Sequence, residues 1–225
     1  MRLTVIIPIF NEQVTLEKVL KQVFTLKNVY EVIAVNDGST DNTGVILNKF
    51  QNSFSRFKVA SHNKNMGKGQ AIKTGLRQAT GDFVIIQDAD LEYTPKEFVK
   101  LTKSVTHKNT ATFGSRIKGG NPHAYFSTYL GNVLLTAFTN LLFGSKLTDI
   151  YTCYKLIPLK IMKKLNIQSR GFEVEAEITA KLLKEGVNIV EVPITFAPRS
   201  YENGKKIRAI DALRGLVTLL TVRFT

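Results

Sequence analysis

The chain has 225 residues, of which 44% are hydrophobic, and this is enough to form one sizeable core. Its 31 basic and 18 acidic residues give a net charge of +13, so the surface should attract nucleic acid, anionic lipid or phosphorylated ligands. A single cysteine, Cys153, excludes an internal disulfide framework. Met1-Arg2-Leu3 leads directly into a strand pattern without a small-residue cleavage site, so we expect a cytoplasmic location.

Strands and helices alternate in the first 80 residues. Leu3 to Ile9 is an apolar run typical of a buried strand, and an amphipathic helical pattern begins at Leu16. Glu31 to Asn36 and Phe57 to Ser61 are the second and third predicted strands, and each leads into a helical segment. This alternation predicts a mostly parallel sheet with right-handed crossovers.

A glycine-rich loop precedes the third helix. Gly67 and Gly69 would let the backbone approach an anion, and Lys68 between them adds a positive charge. The spacing fits neither the P-loop nor the dinucleotide-binding fingerprint. Lys68 is therefore either a surface charge or a phosphate contact.

The fourth predicted strand, Phe83 to Ile86, is followed at once by two carboxylates, Asp88 and Asp90. Because ligands bind at the carboxyl ends of strands in an open parallel sheet, we expect both side chains to lie at the binding edge. Oxygen ligands of this kind suit Mg²⁺ or Mn²⁺. An isolated Asp-x-Asp is weak evidence, because acidic pairs in turns are usually solvated. Our hypothesis is that the pair holds a metal bridging the phosphates of a nucleotide-sugar.

The second half contains a long uncharged segment and a basic tail. Asn121 to Ser145 has no charged residue, and its asparagines, glycines and proline favour a helix at a membrane interface or on the core over a simple membrane span. Further strands are predicted at Thr110 to Phe113 and Ile189 to Ile194, and a helix from about Glu173 to Lys184. The basic tail from Arg199 to Thr225 carries an apolar stripe at helical spacing. The stripe consists of Leu213, Leu216, Val217 and Leu220.

Nine short motifs follow one another along the chain. They are Ile7-Pro8-Ile9-Phe10-Asn11-Glu12, Asn36-Asp37-Gly38-Ser39-Thr40-Asp41, Asn65-Met66-Gly67-Lys68-Gly69, Gln87-Asp88-Ala89-Asp90-Leu91-Glu92, Gly114-Ser115-Arg116, Tyr129-Leu130-Gly131-Asn132, Thr148-Asp149 with Thr152-Cys153-Tyr154-Lys155, Gly171-Phe172-Glu173 with Glu175-Ala176-Glu177-Ile178, and Tyr201-Glu202-Asn203-Gly204-Lys205-Lys206-Ile207. In this order the motifs resemble those of the family 2 glycosyltransferases of GT-A fold, and within them the polyprenyl-phosphate sugar transferases of the dolichyl-phosphate mannose synthase type.

The resemblance implies an α/β fold of GT-A type, with a Rossmann-like, mostly parallel central sheet flanked by helices and with interfacial C-terminal helices. It implies a single domain, residues 1–225, in which residues 1–118 bind the nucleotide-sugar and residues 119–225 bind the acceptor. The implied enzyme is an inverting, metal-dependent hexosyltransferase that uses a donor of GDP-mannose or UDP-glucose type and a polyprenyl or dolichyl phosphate acceptor. We expect it to be peripheral on the cytoplasmic face of a membrane, with a membrane-anchoring subunit as a possible partner.

The resemblance also implies a donor site. Asp90 would be the principal ligand of Mg²⁺ or Mn²⁺, and Asp88 and Glu92 would complete the site directly or through water. Asp37 would accept a hydrogen bond from the nucleotide base. The other residues expected around the nucleotide are Pro8, Phe10 and Glu12, with Lys68 as a candidate phosphate contact.

The acceptor site is implied less directly. Arg116 resembles a basic residue that steadies the donor or acceptor phosphate, and Arg199 and Lys205 are expected to meet the acceptor phosphate. A polyprenyl phosphate needs no strong protein base, because its second pKa of about 6 makes it anionic near neutral pH. A hydroxyl acceptor would need a base, and Glu175 and Glu177 are then the candidates.

Three other functions compete with this interpretation. A glycosyltransferase acting on a glycan or another hydroxyl acceptor would share the donor site. A nucleotidyltransferase usually has a glycine-rich basic loop after its first strand, which Pro8-Ile9-Phe10-Asn11-Glu12 does not resemble. A basic nucleic-acid or membrane-binding module is disfavoured, because acidic residues gather at the strand ends while positive charge is spread over the chain. We therefore expect no nucleic acid partner.

Overall fold

A computed structural model describes residues 1–107, 109–202 and 204–225. Asn203, part of the last motif, lies outside the described residues. Within the described ranges, the strands are β1 Leu3–Ile9, β2 Val29–Asn36, β3 Phe57–Ser61, β4 Phe83–Ile86, β5 Thr110–Ser115, β6 Lys155–Pro158 and β7 Asn188–Pro193. The helices are α1 Leu16–Phe24, α2 Thr43–Phe50, α3 Lys68–Gln78, α4 Phe98–Lys103, α5 Phe126–Phe143, α6 Leu159–Lys164, α7 Val174–Lys184 and α8 Ala209–Phe224, with a 3₁₀ helix at Pro95–Glu97.

The strands form one sheet in the order β3-β2-β1-β4-β6-β5-β7. At its centre β1 pairs in parallel with β2 and β4, so that Ile6 lies opposite Ile33 on one side and Ile86 on the other. These apolar strands are buried because helices cover both faces of a parallel sheet. β6 is antiparallel to β4 and β5, and β5 pairs in parallel with β7. The prediction of a mostly parallel α/β sheet is confirmed.

β6 was not among the predicted strands. Its four residues are all buried, yet it begins with the charged Lys155, whose side chain is 1% exposed. A lysine is almost never fully buried unless it is paired, so its presence hides the strand pattern in the sequence. The sheet contains strands from before and after residue 118, and the division into two functional halves at that residue remains a prediction.

α5 occupies the uncharged segment and is largely exposed. Of its residues only Leu135, Thr136 and Thr139 are buried. In the described part of the chain it is the one helix long and apolar enough to cross a membrane by length and composition, and a single such helix is weak evidence for a span. Its exposed residues include Phe126 and Leu141.

α8 packs beside α5 and α7 over a second, smaller core. Leu219 and Val222 point into this core. The apolar stripe predicted from helical spacing lies on α8, and Leu213 and Val217 in it are more than half exposed. The exposed sides of α5 and α8 thus carry apolar side chains. On both helices these are Phe126, Leu130, Leu134, Leu141, Ile210, Leu213, Val217, Leu220 and Phe224, which we call the apolar face.

A buried carboxylate closes the amino-terminal end of the sheet. Glu31 on β2 accepts hydrogen bonds from the Thr4 hydroxyl (2.7 Å), the Lys58 ammonium (2.8 Å) and the Thr80 and Gly81 amides (2.6 and 3.1 Å). Burial alone would raise the pKa of Glu31, but these donors outweigh it and lower the pKa to about 2. The ionised form therefore stabilises the fold.

Glu31→Gln should destabilise the protein at neutral pH by up to about 3 kcal/mol, because a pKa near 2 in the folded state lies below the ordinary value of 4.5. This stabilisation is fully present above pH 4.5 and is lost as the pH falls towards 2, so the variant and the wild type should converge in acid. Urea denaturation from pH 7 to pH 3 measures the difference. Glu185→Gln, at an exposed position, should behave as the wild type throughout. A difference for Glu31→Gln that does not change with pH would contradict the role of the ionised carboxylate.

Candidate active site

The carboxyl ends of the central strands meet at one edge of the sheet. Parallel pairing places Ile9 beside Asn36 and Asn36 beside Ser61, so the residues after β1, β2 and β3 emerge together. A cleft of about 930 Å³ opens at this edge. Every predicted site residue except Glu177 lines it. They are Pro8, Phe10, Glu12, Asp37, Lys68, Asp88, Asp90, Glu92, Arg116, Glu175, Arg199 and Lys205.

Three carboxylates in the cleft contact Arg199. Arg199 contacts Asp90 Oδ2 at 2.9 Å and the two Glu12 oxygens at 3.2 and 3.3 Å. Its backbone amide donates to Glu92 Oε1 at 2.6 Å, and Lys206 adds a second cation at 2.6 Å from Glu12. The predicted contact of Arg199 with an acceptor phosphate stays a prediction, since its guanidinium here binds carboxylates.

Crowding of negative charge shifts the protonation of Asp90. Burial is the largest cause, and the charges of Asp88 and Glu92 add to it, so that the pKa of Asp90 rises to about 7 despite the opposing effect of Arg199. The pKa of Glu92 is also raised, chiefly by burial. An additional cation near these carboxylates would relieve this cost.

Asp88 belongs to a buried chain of charges. Lys68 lies 2.8 Å from Asp88 Oδ1 and 3.0 Å from Glu175 Oε1. The other oxygen of Glu175 accepts a hydrogen bond from Lys155, whose ammonium also donates to the Thr152 carbonyl at 2.6 Å. Burial opposes the charge on Lys68, but Asp88 and Glu175 outweigh it and raise its pKa. Lys68 is therefore a cleft residue paired with carboxylates and not a solvated surface charge.

Asp37 organises the glycine-rich loop. Its carboxylate accepts hydrogen bonds from the amides of Met66 (2.9 Å) and Gly67 (2.8 Å), and it lies 2.6 Å from His62 Nδ1. The side chain thus fixes the loop that borders the cleft. Its predicted contact with a nucleotide base stays a prediction.

The amides of Gly67 and Gly69 are both bonded within the protein, and the expected approach of this backbone to a ligand anion stays a prediction. Gly67 donates its amide to Asp37, and Gly69 donates to the Arg170 carbonyl at 2.7 Å. A Cβ on Gly67 would lie 2.3 Å from the Arg170 oxygen, and one on Gly69 would lie 2.4 Å from the Ser169 oxygen. The glycines therefore allow the start of α3 to pack against the turn before α7.

The guanidinium of Arg116 is held by Asp149 along one edge and by the Phe196 ring on one face. Its Nε and Nη2 donate to the two oxygens of the fully buried Asp149 at 2.7 and 2.8 Å, a bidentate pair. Its guanidinium lies 5.1 Å from the centre of the Phe196 ring. Glu191 on β7 supports this pair from behind, because it accepts the amides of Thr148 and Asp149 at 2.9 and 3.1 Å. Arg116 therefore reaches the cleft as a positive charge held in one orientation.

Of the two remaining predicted residues, Lys205 lies at the cleft and Glu177 lies away from it. Lys205 lines the cleft with its ammonium 5.3 Å from the centre of the Tyr125 ring, and burial lowers its pKa. Glu177 does not line the cleft. Its carboxylate instead accepts the amides of Gln168 and Ser169 at 2.8 and 2.7 Å, and it pairs with Lys181. Glu177 therefore fixes the turn against which the glycine-rich loop packs.

Sequence reasoning assigned no role in the site to three residues. Lys155, Asp149 and Lys206 each lie in one of the nine motifs, but none was predicted to act in the site. A polar residue inside an apolar run, as in Tyr154-Lys155-Leu156-Ile157, is the one signal that could have marked a buried charge pair. For Asp149 and Lys206 the partners are distant in sequence, so no local pattern identifies them.

A known protein family matches most of the chain. The model of the family described as glycosyl transferase family 2 matches residues 4–165. The chain belongs to this family. The predicted family and the predicted enzyme class, a glycosyltransferase, are confirmed.

Two curated relatives of this glycosyltransferase act on lipid phosphates by name. Undecaprenyl-phosphate 4-deoxy-4-formamido-L-arabinose transferase of Proteus mirabilis is 28% identical over 98% of this chain and 68% of its own length. Dolichol-phosphate mannosyltransferase of Pyrococcus furiosus is 28% identical over 91% of this chain. The match spans 59% of the length of the Pyrococcus protein.

A solved structure confirms the GT-A fold. Glucosyl-3-phosphoglycerate synthase from Mycobacterium tuberculosis, in complex with Mn²⁺, uridine diphosphate and phosphoglyceric acid, superposes with a TM-score of 0.74. The similarity covers 99% of this chain and 78% of that chain at 19% identity. At this identity the match establishes the architecture alone.

Gly69→Ala should destabilise the protein by on the order of 1–3 kcal/mol, because the added methyl group overlaps the Ser169 carbonyl. Gly131→Ala is the matched control, since Gly131 is also helical and nothing lies within 4 Å of its Cβ position. That change should be neutral or stabilise by up to about 1 kcal/mol, because alanine is the better helix former. Urea denaturation measures both. Equal effects of the two substitutions would show that the packing of the loop on the turn is not what Gly69 provides.

Proposed function

We propose that this glycosyltransferase moves a hexose from a nucleotide-sugar to a polyprenyl phosphate at a membrane surface, with inversion at the anomeric carbon. The observation that carries the proposal is one continuous cleft that contains a buried carboxylate cluster, fixed basic residues and a border on α5 and α8. The names of two relatives, which include undecaprenyl phosphate and dolichol phosphate, support the class of acceptor.

The donor binds at the carboxyl edge of the sheet. Pro8 and Phe10 give apolar contact to the nucleoside, and Asp37 receives a hydrogen bond from the base through a lone pair that the loop amides leave. The diphosphate lies towards Lys68 and Asp88. Uridine diphosphate complexes of the similar synthase support a nucleotide ligand.

The carboxylate cluster suits Mg²⁺ or Mn²⁺. The similar synthase has been crystallised with each ion and uridine diphosphate. Among the described residues of this chain, no three His, Cys, Asp or Glu side chains converge as an enclosed metal site. Mg²⁺ usually takes one or two protein carboxylates together with substrate phosphates, so an enclosed site of three protein ligands is not required. Asp90 would be the principal ligand, Asp88 and Glu92 would complete the site directly or through water, and the ion would supply positive charge that stabilises the leaving diphosphate.

The side chains of the cleft prepare the displacement. A phosphate oxygen of the acceptor attacks the anomeric carbon as the bond to the nucleoside diphosphate breaks. Arg116, held by Asp149, directs its positive charge at the phosphates that react, and such fixed charges need no reorganisation during the step. Arg199 and Lys205 attract the acceptor phosphate when the donor complex has neutralised the carboxylates that Arg199 contacts in this structure.

The engagement of the two candidate bases favours a phosphate acceptor over a hydroxyl. Glu175 has a lysine at each oxygen, and Glu177 is bonded to the turn before α7. A hydroxyl nucleophile needs a carboxylate free to accept its proton. A phosphate monoester is already anionic at neutral pH and needs none.

The apolar face of α5 and α8 rests on the membrane. Aliphatic and aromatic side chains of an interfacial helix insert among lipid headgroups, and each Lys or Arg near an anionic leaflet contributes roughly 1 kcal/mol. Arg214 and Arg223 on α8 lie close to this face, and the net charge of the chain is +13. The enzyme is then peripheral on the cytoplasmic leaflet, and a membrane-anchoring subunit is a further partner that this face could receive.

Asp90→Asn should reduce sugar transfer by more than about 100-fold, because an amide cannot replace the charge of the principal metal ligand. The assay uses a radiolabelled nucleotide-sugar, undecaprenyl phosphate and MnCl₂, with circular dichroism as the check on folding. Asp82→Asn is the matched control: Asp82 lies at the other end of β4 and pairs with Arg2 on the surface. Near-normal turnover of Asp90→Asn would contradict the role given to Asp90.

The double variant Leu213→Glu, Val217→Glu should bind phosphatidylglycerol vesicles more than about tenfold more weakly than the wild type. Burying one such apolar side chain contributes about 1.5–3 kcal/mol. Vesicle co-sedimentation measures the effect. Val45→Glu is the control, since Val45 is 68% exposed but lies on α2. Equal losses in both variants would assign the effect to charge alone, and unchanged binding would remove the apolar face from the proposal.

A further inference from the structure

The cleft contains a row of four alternating charges that come from four separate elements. Asp88 follows β4, Lys68 begins α3, Glu175 lies in the first turn of α7, and Lys155 begins β6. Lys68 bridges the two carboxylates at 2.8 and 3.0 Å, and Lys155 pairs with the far oxygen of Glu175. The formal charges sum to zero, so the row is neutral as a unit.

The two ends of this row differ in access to the cleft. Lys155 is 1% exposed and does not line it, whereas Asp88 and Lys68 do. Lys155 is also held by the Thr152 carbonyl at 2.6 Å. It therefore anchors one oxygen of Glu175 from inside the protein and leaves the other oxygen to face Lys68.

The anchored carboxylate restricts a side chain that is otherwise flexible. A lysine has a four-carbon stem and a compact ammonium that can take several positions. With Asp88 as its only partner, the Lys68 ammonium could move within the cleft. Glu175 supplies the second fixed contact, and two fixed contacts define one position for the ammonium.

We infer that Glu175 is a positioning residue, which acts through Lys68 to hold a positive charge beside Asp88 where the donor diphosphate binds. This inference rests on the proposed function and replaces the expectation that Glu175 is a general base. Lys155 supports Glu175 by neutralising the oxygen that Lys68 does not contact. Fixing the charge in advance spares the cost of immobilising the lysine when the nucleotide binds.

A double-mutant cycle tests this inference through binding, without turnover. The probe is UDP or GDP in MnCl₂, whichever the wild-type chain binds more tightly by isothermal titration calorimetry. Glu175→Gln keeps the shape of the side chain and should raise the dissociation constant on the order of tenfold. Lys68→Met should raise it at least as much. In the Lys68→Met background, Glu175→Gln should change it less than about twofold, because the residue through which Glu175 acts is gone.

A neutral version of the test protects against misfolding. Lys155→Gln combined with Glu175→Gln removes one positive and one negative charge, so the buried row stays neutral while Lys68 loses its second contact. This pair of substitutions should weaken nucleotide binding as Glu175→Gln does and should again have little effect when Lys68 is Met. Circular dichroism and urea denaturation of each variant check the fold.

Two outcomes overturn the inference. An equal effect of Glu175→Gln with and without Lys68 would show that Glu175 acts independently of the lysine. An unchanged dissociation constant with a fall of more than about 100-fold in kcat would restore Glu175 as a base. Failure of the wild type to bind either nucleotide would instead contradict the proposed function itself, and the inference with it.

Discussion

The structure depends on neutralising the carboxylates that gather at the carboxyl end of the central strands. Burial and mutual repulsion raise the pKa of Asp90 to about 7, and the cost of the remaining negative charge is offset by basic residues from distant parts of the chain. Lys68 serves Asp88, while Arg199 serves Asp90 and Glu12. Removing Lys68 would leave Asp88 buried without its cation, and removing Arg199 would do the same to Asp90. Either change should destabilise the fold.

This constraint joins the C-terminal segment to the first strand. Glu12 follows β1, and its carboxylate receives both Arg199 and Lys206. The segment carrying these two cations lies between β7 and α8, so the ion pairs hold the approach to α8 against the cleft. A donor complex that neutralises the same carboxylates would weaken these pairs. On the proposed function, donor binding and the position of this segment are therefore linked by charge.

Much of the fold follows from sequence pattern, because β4 is an uninterrupted apolar run and β1 is interrupted only by Thr4, and both coincide with predicted strands. The carboxylates Asp88 and Asp90 could be placed by the rule that ligands bind where parallel strands end. β6 could not, since Lys155 interrupts its apolar pattern and is compensated only by a residue 20 positions away. Local pattern contains no record of such a partner. The same reason explains why the sequence offers Glu177 as a candidate base for a hydroxyl acceptor, although its carboxylate accepts the amides of a turn.

The proposed reaction in this cleft is the transfer of a sugar to a lipid phosphate with help from a divalent cation. The most direct measurement offers the chain a panel of radiolabelled nucleotide-sugars with undecaprenyl or dolichyl phosphate, in MnCl₂ or MgCl₂ and in EDTA, and follows radioactivity into organic solvent. Label from one donor should enter the organic phase only when both the lipid phosphate and the cation are present. Label that stays in water as a transferred product, or transfer that is equal in EDTA, would contradict the proposed reaction.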